Sequence, residues 1–144
     1  MRDLTDKKIY FDTNLAIYAI EGFVPYREIL IKLFSAIDDG LLTAVTSELT
    51  ICESLVHPFQ DGDPNILQAY ESLFSDKSGL DCLPVTRDIL IDAARIRAKH
   101  ESLKMPDAIH LATSKFAKCD IFLTNDKRLP RLDSTVLLLD DLNG

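Results

Sequence analysis

Residues 106–126 read PDAIHLATSKFAKCDIFLTND, and this stretch decides the fold. Pro106 suits the first turn of a helix, where its missing N–H would have had no intrahelical partner. PDAIHLATSKFAK reads as that helix, and CDIFLT reads as a short strand apolar on both faces. A strand of that kind belongs in a parallel sheet covered by helices on both sides. A helix that feeds such a strand runs back against the strand direction, so its N-terminus and the strand's carboxyl end share one edge of the sheet.

The same alternation recurs outward along the chain. KKIYFDT (7–13) is a first strand closed by a polar DTN turn, and NLAIYAIEG (14–22) is a short helix stopped by Gly22. Residues 25–39 carry Ile29, Leu33, Ala36 and Ile37 near helical spacing and stop at Asp38-Asp39-Gly40. LLTAVT (41–46) is a second strand, and SELTICESLV is a helix capped by Ser47 and expected to end before His57-Pro58. A DGDP turn leads to a helix at 64–75, DCLPV (81–85) is a third strand, and Thr86 caps a long helix striped by Ile89, Ala93 and Ile96. STVLLLD (134–140) supplies a fifth strand. The 144 residues suit one compact domain, and 47% hydrophobic content suffices for a core without staples.

Four acids stand out by their place in this topology. In an open parallel sheet the ligand crevice lies beyond the carboxyl ends of the strands. Asp12 ends the first strand, and Asp126 lies just past the fourth. Glu53 sits in the early turns of the helix that leaves the second strand, and Asp107 opens the helix before the fourth. All four therefore face one rim. Taken singly, each has an ordinary explanation: a helix cap for Asp12, a solvated helix residue for Glu53, a favourable charge at a helix start for Asp107, a turn former for Asp126. Taken together they are costly. Two carboxylates 4 Å apart repel by about 4 kcal/mol at an effective dielectric of 20, against a domain stability of about 5–15 kcal/mol. Such a site takes up protons or a cation, and an all-oxygen ligand set suits Mg²⁺ or Mn²⁺.

The remaining composition narrows the function classes. The net charge of −7 argues against nonspecific coating of nucleic acid, although bound divalent ions would make an acidic rim attractive to phosphate. Lys127, Arg128 and Arg131 follow Asp126 and are candidate phosphate contacts; Arg95, Arg97, Lys99 and Lys104 form a second basic stretch that reads more simply as a solvated face. No apolar run reaches the roughly 20 residues of a membrane helix, and the charged N-terminus lacks a secretory h-region, so a cytoplasmic location without membrane contact is expected. Cys52, Cys82 and Cys119 show no metal-like spacing and are expected as buried, reduced thiols. His110, three residues after Asp107, shares its helical face, and a satisfied structural histidine is preferred to a mixed metal ligand. No phosphate loop, Rossmann glycine pattern or nucleophile elbow is present.

FDTN (11–14), SELTICE (47–53), PDAIHLA (106–112) and FLTND (122–126) occur in an order that resembles the PIN-domain family, in particular its small VapC-type toxins of bacterial toxin–antitoxin pairs. The resemblance spans nearly the whole chain. It implies a three-layer α/β/α sandwich with a central, mostly parallel sheet over residues 1–144. It also implies a metal-dependent endoribonuclease, usually a homodimer, inhibited by a cognate antitoxin protein. The family's four acids fall on Asp12, Glu53 (rather than Glu48), Asp107 and Asp126, with Thr124 and Asn14 as supporting polar groups. One departure is visible: where many relatives carry a further acid two residues after the last one, this chain has Arg128. Two rivals share the sheet architecture. A noncatalytic RNA- or protein-binding module on the same fold fits less well with four retained acids. A phosphoacceptor receiver domain would want paired acids beside the first strand and an aspartate after the third, and neither is present.

Overall fold

A computed structural model describes residues 3–131 and 133–143, with the side chains of Arg131 and Asn143 outside that description. The chain runs β1 (Lys8–Phe11), α1 (Thr13–Glu21), α2 (Arg27–Asp38), β2 (Thr43–Ser47), α3 (Glu48–Asp61), α4 (Pro64–Leu73), β3 (Leu80–Leu83), α5 (Arg87–Lys99), α6 (Met105–Phe116), β4 (Ile121–Thr124) and β5 (Val136–Leu138). Short 3₁₀ turns precede α2 and flank β5. The five strands form one sheet in the order β3-β2-β1-β4-β5, and every pairing among them is parallel. The expected three-layer α/β/α architecture is present, with a sheet that is wholly rather than mostly parallel.

Alternation along the strands builds two cores. Ile9, Phe11, Ala44 and Leu123 pack with the apolar faces of α1, α2 and α4. Tyr10, Val45 and Phe122 point the other way and pack against Ile89 and Ala93 of α5 and Ala108, Leu111 and Ala112 of α6. Tyr10 and Phe122 stack across the β1–β4 pair with ring centroids 5.0 Å apart. Such fully buried rings are the expensive ones to remove, about 3–5 kcal/mol for a Phe→Ala change.

Two expectations are corrected. Helix α3 does not stop before His57-Pro58; it continues to Asp61 and ends on Gly62 in the left-handed region at φ 69°. Pro58 removes one helical hydrogen bond, but it extends a buried stripe with Thr50 and Ser54 that lies against the body of the protein. Burial of that stripe offsets the lost bond. The cysteines are free thiols, but they are not uniformly buried: Cys52 is exposed on the outer side of α3, and Cys82 and Cys119 are half-buried. Apolar neighbours in sequence do not predict burial on a helix whose inward stripe is polar.

The strand order creates the crevice. From β1 the chain crosses first to β2 and β3 on one side, then returns to β4 and β5 on the other. The carboxyl ends of β1 and β4 are therefore a topological switch point, where open α/β sheets bind ligands. Among the described residues, no helix is long and apolar enough to cross a membrane.

Candidate functional site

The register of β1 against β4 pairs Phe11 with Leu123, which sets Asp12 beside Thr124. The Asp12 backbone N–H donates to the Leu123 carbonyl at 3.0 Å. Its side chain is 9% exposed. Oδ1 accepts from the Thr13 N–H at 2.9 Å and so caps α1, while Oδ2 accepts from the Thr124 hydroxyl at 2.6 Å. The ordinary capping role and a place in the site belong to the same residue.

Thr124 is wholly buried, and its hydroxyl uses every bond available to it. It donates to Asp12 and accepts from the Asp126 N–H at 3.0 Å and from Asn14 Nδ2 at 3.3 Å. Asn14 Oδ1 in turn accepts from the Asn125 N–H at 3.2 Å. The loop after β4 is thus latched to the first turn of α1, which brings Asp126 to Asp12.

Asp107 enters from the other layer, in the first turn of α6. Its Oδ2 is buried and has no hydrogen-bond partner. Burial pushes its carboxyl above the ordinary range, and the charges of Asp12 and Asp126 push it further, against a smaller pull from Arg128 and His110. Asp107 from α6 is therefore close enough to Asp12 and to the Asp126 loop to feel both negative charges.

Arg128 answers that repulsion. Its Nε donates to Asp126 Oδ1 at 2.9 Å and its Nη2 to Oδ2 at 2.6 Å, a two-pronged clamp. The same Nη2 stands 3.6 Å from Asp107 Oδ2. The clamp holds the Asp126 carboxyl below its ordinary pKa. Lys127 points elsewhere, with Nζ 4.0 Å from Asp140. The Arg131 side chain falls outside the described residues. In the second basic stretch, Arg95 pairs with Asp92 at the surface.

Glu53 stands apart from the three aspartates, tied to a buried histidine. Its Oε1 lies 2.6 Å from His110 Nε2 and accepts from the Thr13 hydroxyl at 2.8 Å. Burial raises the Glu53 pKa, but the bond and charge of His110 and the Thr13 bond outweigh it, and the net shift is downward. The other ring nitrogen of His110 meets the Tyr10 hydroxyl at 2.6 Å. His110 Nε2 also stands 4.0 Å from Asp12 Oδ1, which makes the ring the link between Glu53 and the aspartates. Below it, the hydroxyls of Thr13, Thr46 and Thr50 form a buried chain, with Thr46 donating to the Phe11 carbonyl at 2.8 Å. Sequence reading found His110 through its spacing from Asp107 but gave no sign of Tyr10, Thr46 or Thr50. Their only signal was a polar residue where an apolar one would pack, in the middle of a strand or on an inward helix stripe.

The donor chemistry suits a hard divalent ion: all-carboxylate oxygens, one of them buried and unpartnered. Among the described residues, however, no three His, Cys, Asp or Glu side chains are already gathered as a ligand set. With Arg128 clamped on Asp126, a guanidinium bridges the gap between two of the acids.

A parallel α/β/α sheet with aspartates converging on its switch point defines the class: an acid-rimmed α/β domain. The PIN domain profile matches residues 9–134, and the chain belongs to the PIN domain family. Solved structures agree on the fold. A toxin–antitoxin complex from Klebsiella pneumoniae shares 21% identity over 91% of this chain and 97% of its own, with a TM-score of 0.69. VapBC2 from Rickettsia felis, bound to a promoter DNA fragment, shares 14% identity over 91% and 96% of the two chains, with a TM-score of 0.65. VapC20 from Mycobacterium tuberculosis, described as a sarcin–ricin loop cleaving toxin, shares 15% identity over 79% and 86%, with a TM-score of 0.63. No curated protein matches the chain.

Proposed function

We propose that residues 1–144 form a single PIN nuclease domain, a Mg²⁺- or Mn²⁺-dependent endoribonuclease that acts as the toxin of a type II toxin–antitoxin pair in the cytoplasm. The observation that carries this reading is the Asp107 carboxylate, with a buried oxygen lacking a hydrogen-bond partner and with burial and the charges of Asp12 and Asp126 raising its pKa. Folding alone gains nothing from three such groups at one edge, and perturbed carboxylates in a crevice mark functional sites.

In this reading Asp12, Asp107 and Asp126 would hold the ion, with Glu53 as the fourth acid of the set. A divalent ion bound there would lower the pKa of a water and offset charge on the phosphoryl oxygens. The chain's own groups do the rest. Thr124 and Asn14 keep Asp12 and Asp126 at one height on the rim. His110 and Thr13 hold Glu53 ionised on the other side of the His110 ring from Asp12, a carboxylate able to accept a proton from an attacking water. Lys127, Arg128 and Arg131 follow Asp126 as the cations for the RNA backbone.

The partner half of the reading draws on the structural neighbours, one described as a toxin–antitoxin complex and another as a toxin. It also draws on Phe23, Val24 and Ile31, which stay exposed around an open groove of about 680 Å³ along α1 and α2. Apolar surface of this kind is what a protein partner or a second copy covers. The test is cleavage of an RNA pool with and without Mg²⁺ or Mn²⁺, by wild type and Asp12→Ala. Metal-dependent cutting lost in the variant is expected. Binding without cutting under all conditions would instead favour a noncatalytic module. Induced expression should arrest bacterial growth and Asp107→Asn should relieve it; equal growth of the two would remove the toxin part alone.

A further inference from the structure

We propose that Arg128 is a resident counter-cation of the acidic rim, one that a divalent ion must displace before Asp126 and Asp107 can bind it. The inference rests on the metal-binding half of the proposed function and adds an antagonist built into the same chain.

The geometry begins with the backbone. After β4 the chain turns at Asp126, with the Leu129 N–H bonded to the Asp126 carbonyl at 3.2 Å. The Arg128 N–H donates to Asp126 Oδ1 at 3.0 Å, closing an Asx turn that aims the arginine stem back over the carboxylate. The guanidinium then takes both oxygens, Nε on Oδ1 and Nη2 on Oδ2. Asp126 accepts three bonds in all from one residue, two on Oδ1 and one on Oδ2, which leaves one of its roughly four acceptor sites open. The Nη2 that holds Oδ2 also faces the unpartnered oxygen of Asp107 at 3.6 Å. One positive group thus bridges two of the three aspartates, as a bound cation would.

A guanidinium does not lose its proton at any ordinary pH, so it cannot be titrated away. It can only move. The Arg128 side chain is 59% exposed and extends from a surface turn, so release needs no rearrangement of the core. Ion and guanidinium compete for the same oxygens. The displaced arginine stays at the edge of the rim with its fork free, placed for the phosphodiester of the proposed substrate.

The test is Mn²⁺ binding to the intact protein, by calorimetry and by electron paramagnetic resonance, without RNA. Wild type is compared with Arg128→Gln, Arg128→Lys and Lys127→Gln, and with Asp107→Asn as the loss-of-site control. Arg128→Gln should bind about tenfold more tightly, about 1.4 kcal/mol. Arg128→Lys should gain less, because it keeps the charge and loses the fork. Lys127→Gln removes the same charge one residue away and should change affinity less than twofold. In metal-free buffer Arg128→Gln should melt below wild type, and saturating Mn²⁺ should close that gap, because the arginine is displaced in the loaded protein. Equal Mn²⁺ affinity in wild type and Arg128→Gln, with binding lost in Asp107→Asn, would overturn the antagonism and leave the metal site standing. Equal gains from Arg128→Gln and Lys127→Gln would assign the effect to net charge and overturn it too. Absence of Mn²⁺ binding in every variant would remove the metal reading itself, and the antagonism with it.

Discussion

Thr124→Val keeps the shape of a wholly buried side chain and removes the hydroxyl that ties two acids together. Three bonds go: 2.6 Å to Asp12, 3.0 Å from the Asp126 N–H and 3.3 Å from Asn14. The first is charge-assisted and buried, worth about 1.5–3 kcal/mol, and its loss leaves an ionised oxygen without a donor. The second lies on a half-buried loop where water can replace it, worth about 0.5–1 kcal/mol, and the third is long enough to add little. The expected loss is about 3 kcal/mol, or roughly 6–12 °C in Tm for a chain of this size. Urea unfolding of metal-free protein, followed by circular dichroism, measures it. Thr124→Ser keeps every bond and loses one methyl group, about 1 kcal/mol. Asp12→Asn combined with Thr124→Val should fall well short of the sum of the two single losses, because they share a bond. A Thr124→Val loss under about 0.5 kcal/mol, or a serine variant as unstable as the valine one, would refute the view that this hydroxyl positions the site.

Asp107→Asn should stabilise metal-free protein near neutral pH. The Asp107 pKa is raised in the fold by burial and by Asp12 and Asp126, so its ionisation opposes folding as pH climbs through that raised value. The advantage of asparagine therefore grows with pH from the ordinary aspartate value to the raised one and is level above it, and stability–pH curves that run parallel throughout would contradict it. Glu53 has the opposite sign: its lowered pKa contributes stability that is present above the ordinary value of 4.5 and is lost as pH falls through the lowered one. Glu53→Gln should flatten that acid limb in a denaturation series, and an unchanged limb would count against the His110–Glu53 bond. Mn²⁺ at about 100 times its dissociation constant should add about 2.7 kcal/mol to unfolding free energy and EDTA should remove it. A thermal shift assay reads this directly, and a gain retained by Asp107→Asn would place the ion elsewhere.

The sequence by itself determined the class of sheet and the edge on which the acids stand. Continuous apolar strands such as IFLT and alternating helices leave a covered parallel sheet as the economical arrangement, and direction reversal places Asp12, Glu53, Asp107 and Asp126 at its carboxyl rim. Local rules also served where the physics is local: Ser47 and Thr86 cap α3 and α5. Tertiary structure decided the rest, because the deciding contacts join residues far apart in the chain. Strand order put the switch point between β1 and β4, and register set Asp12 beside Thr124 across 112 positions. Packing of α6 on the sheet brought His110 to Glu53 and Tyr10, and turned a lone histidine into the link of a buried network. Packing also carried α3 through Pro58. Arg128 shows the division most clearly. Its position after Asp126 was plain in the sequence, but charge alone does not say whether an exposed arginine meets solvent, substrate or its own carboxylates. The Asx turn that aims it is local, but the open oxygen of Asp107 that it faces comes from another element and meets it only once α6 has packed on the sheet.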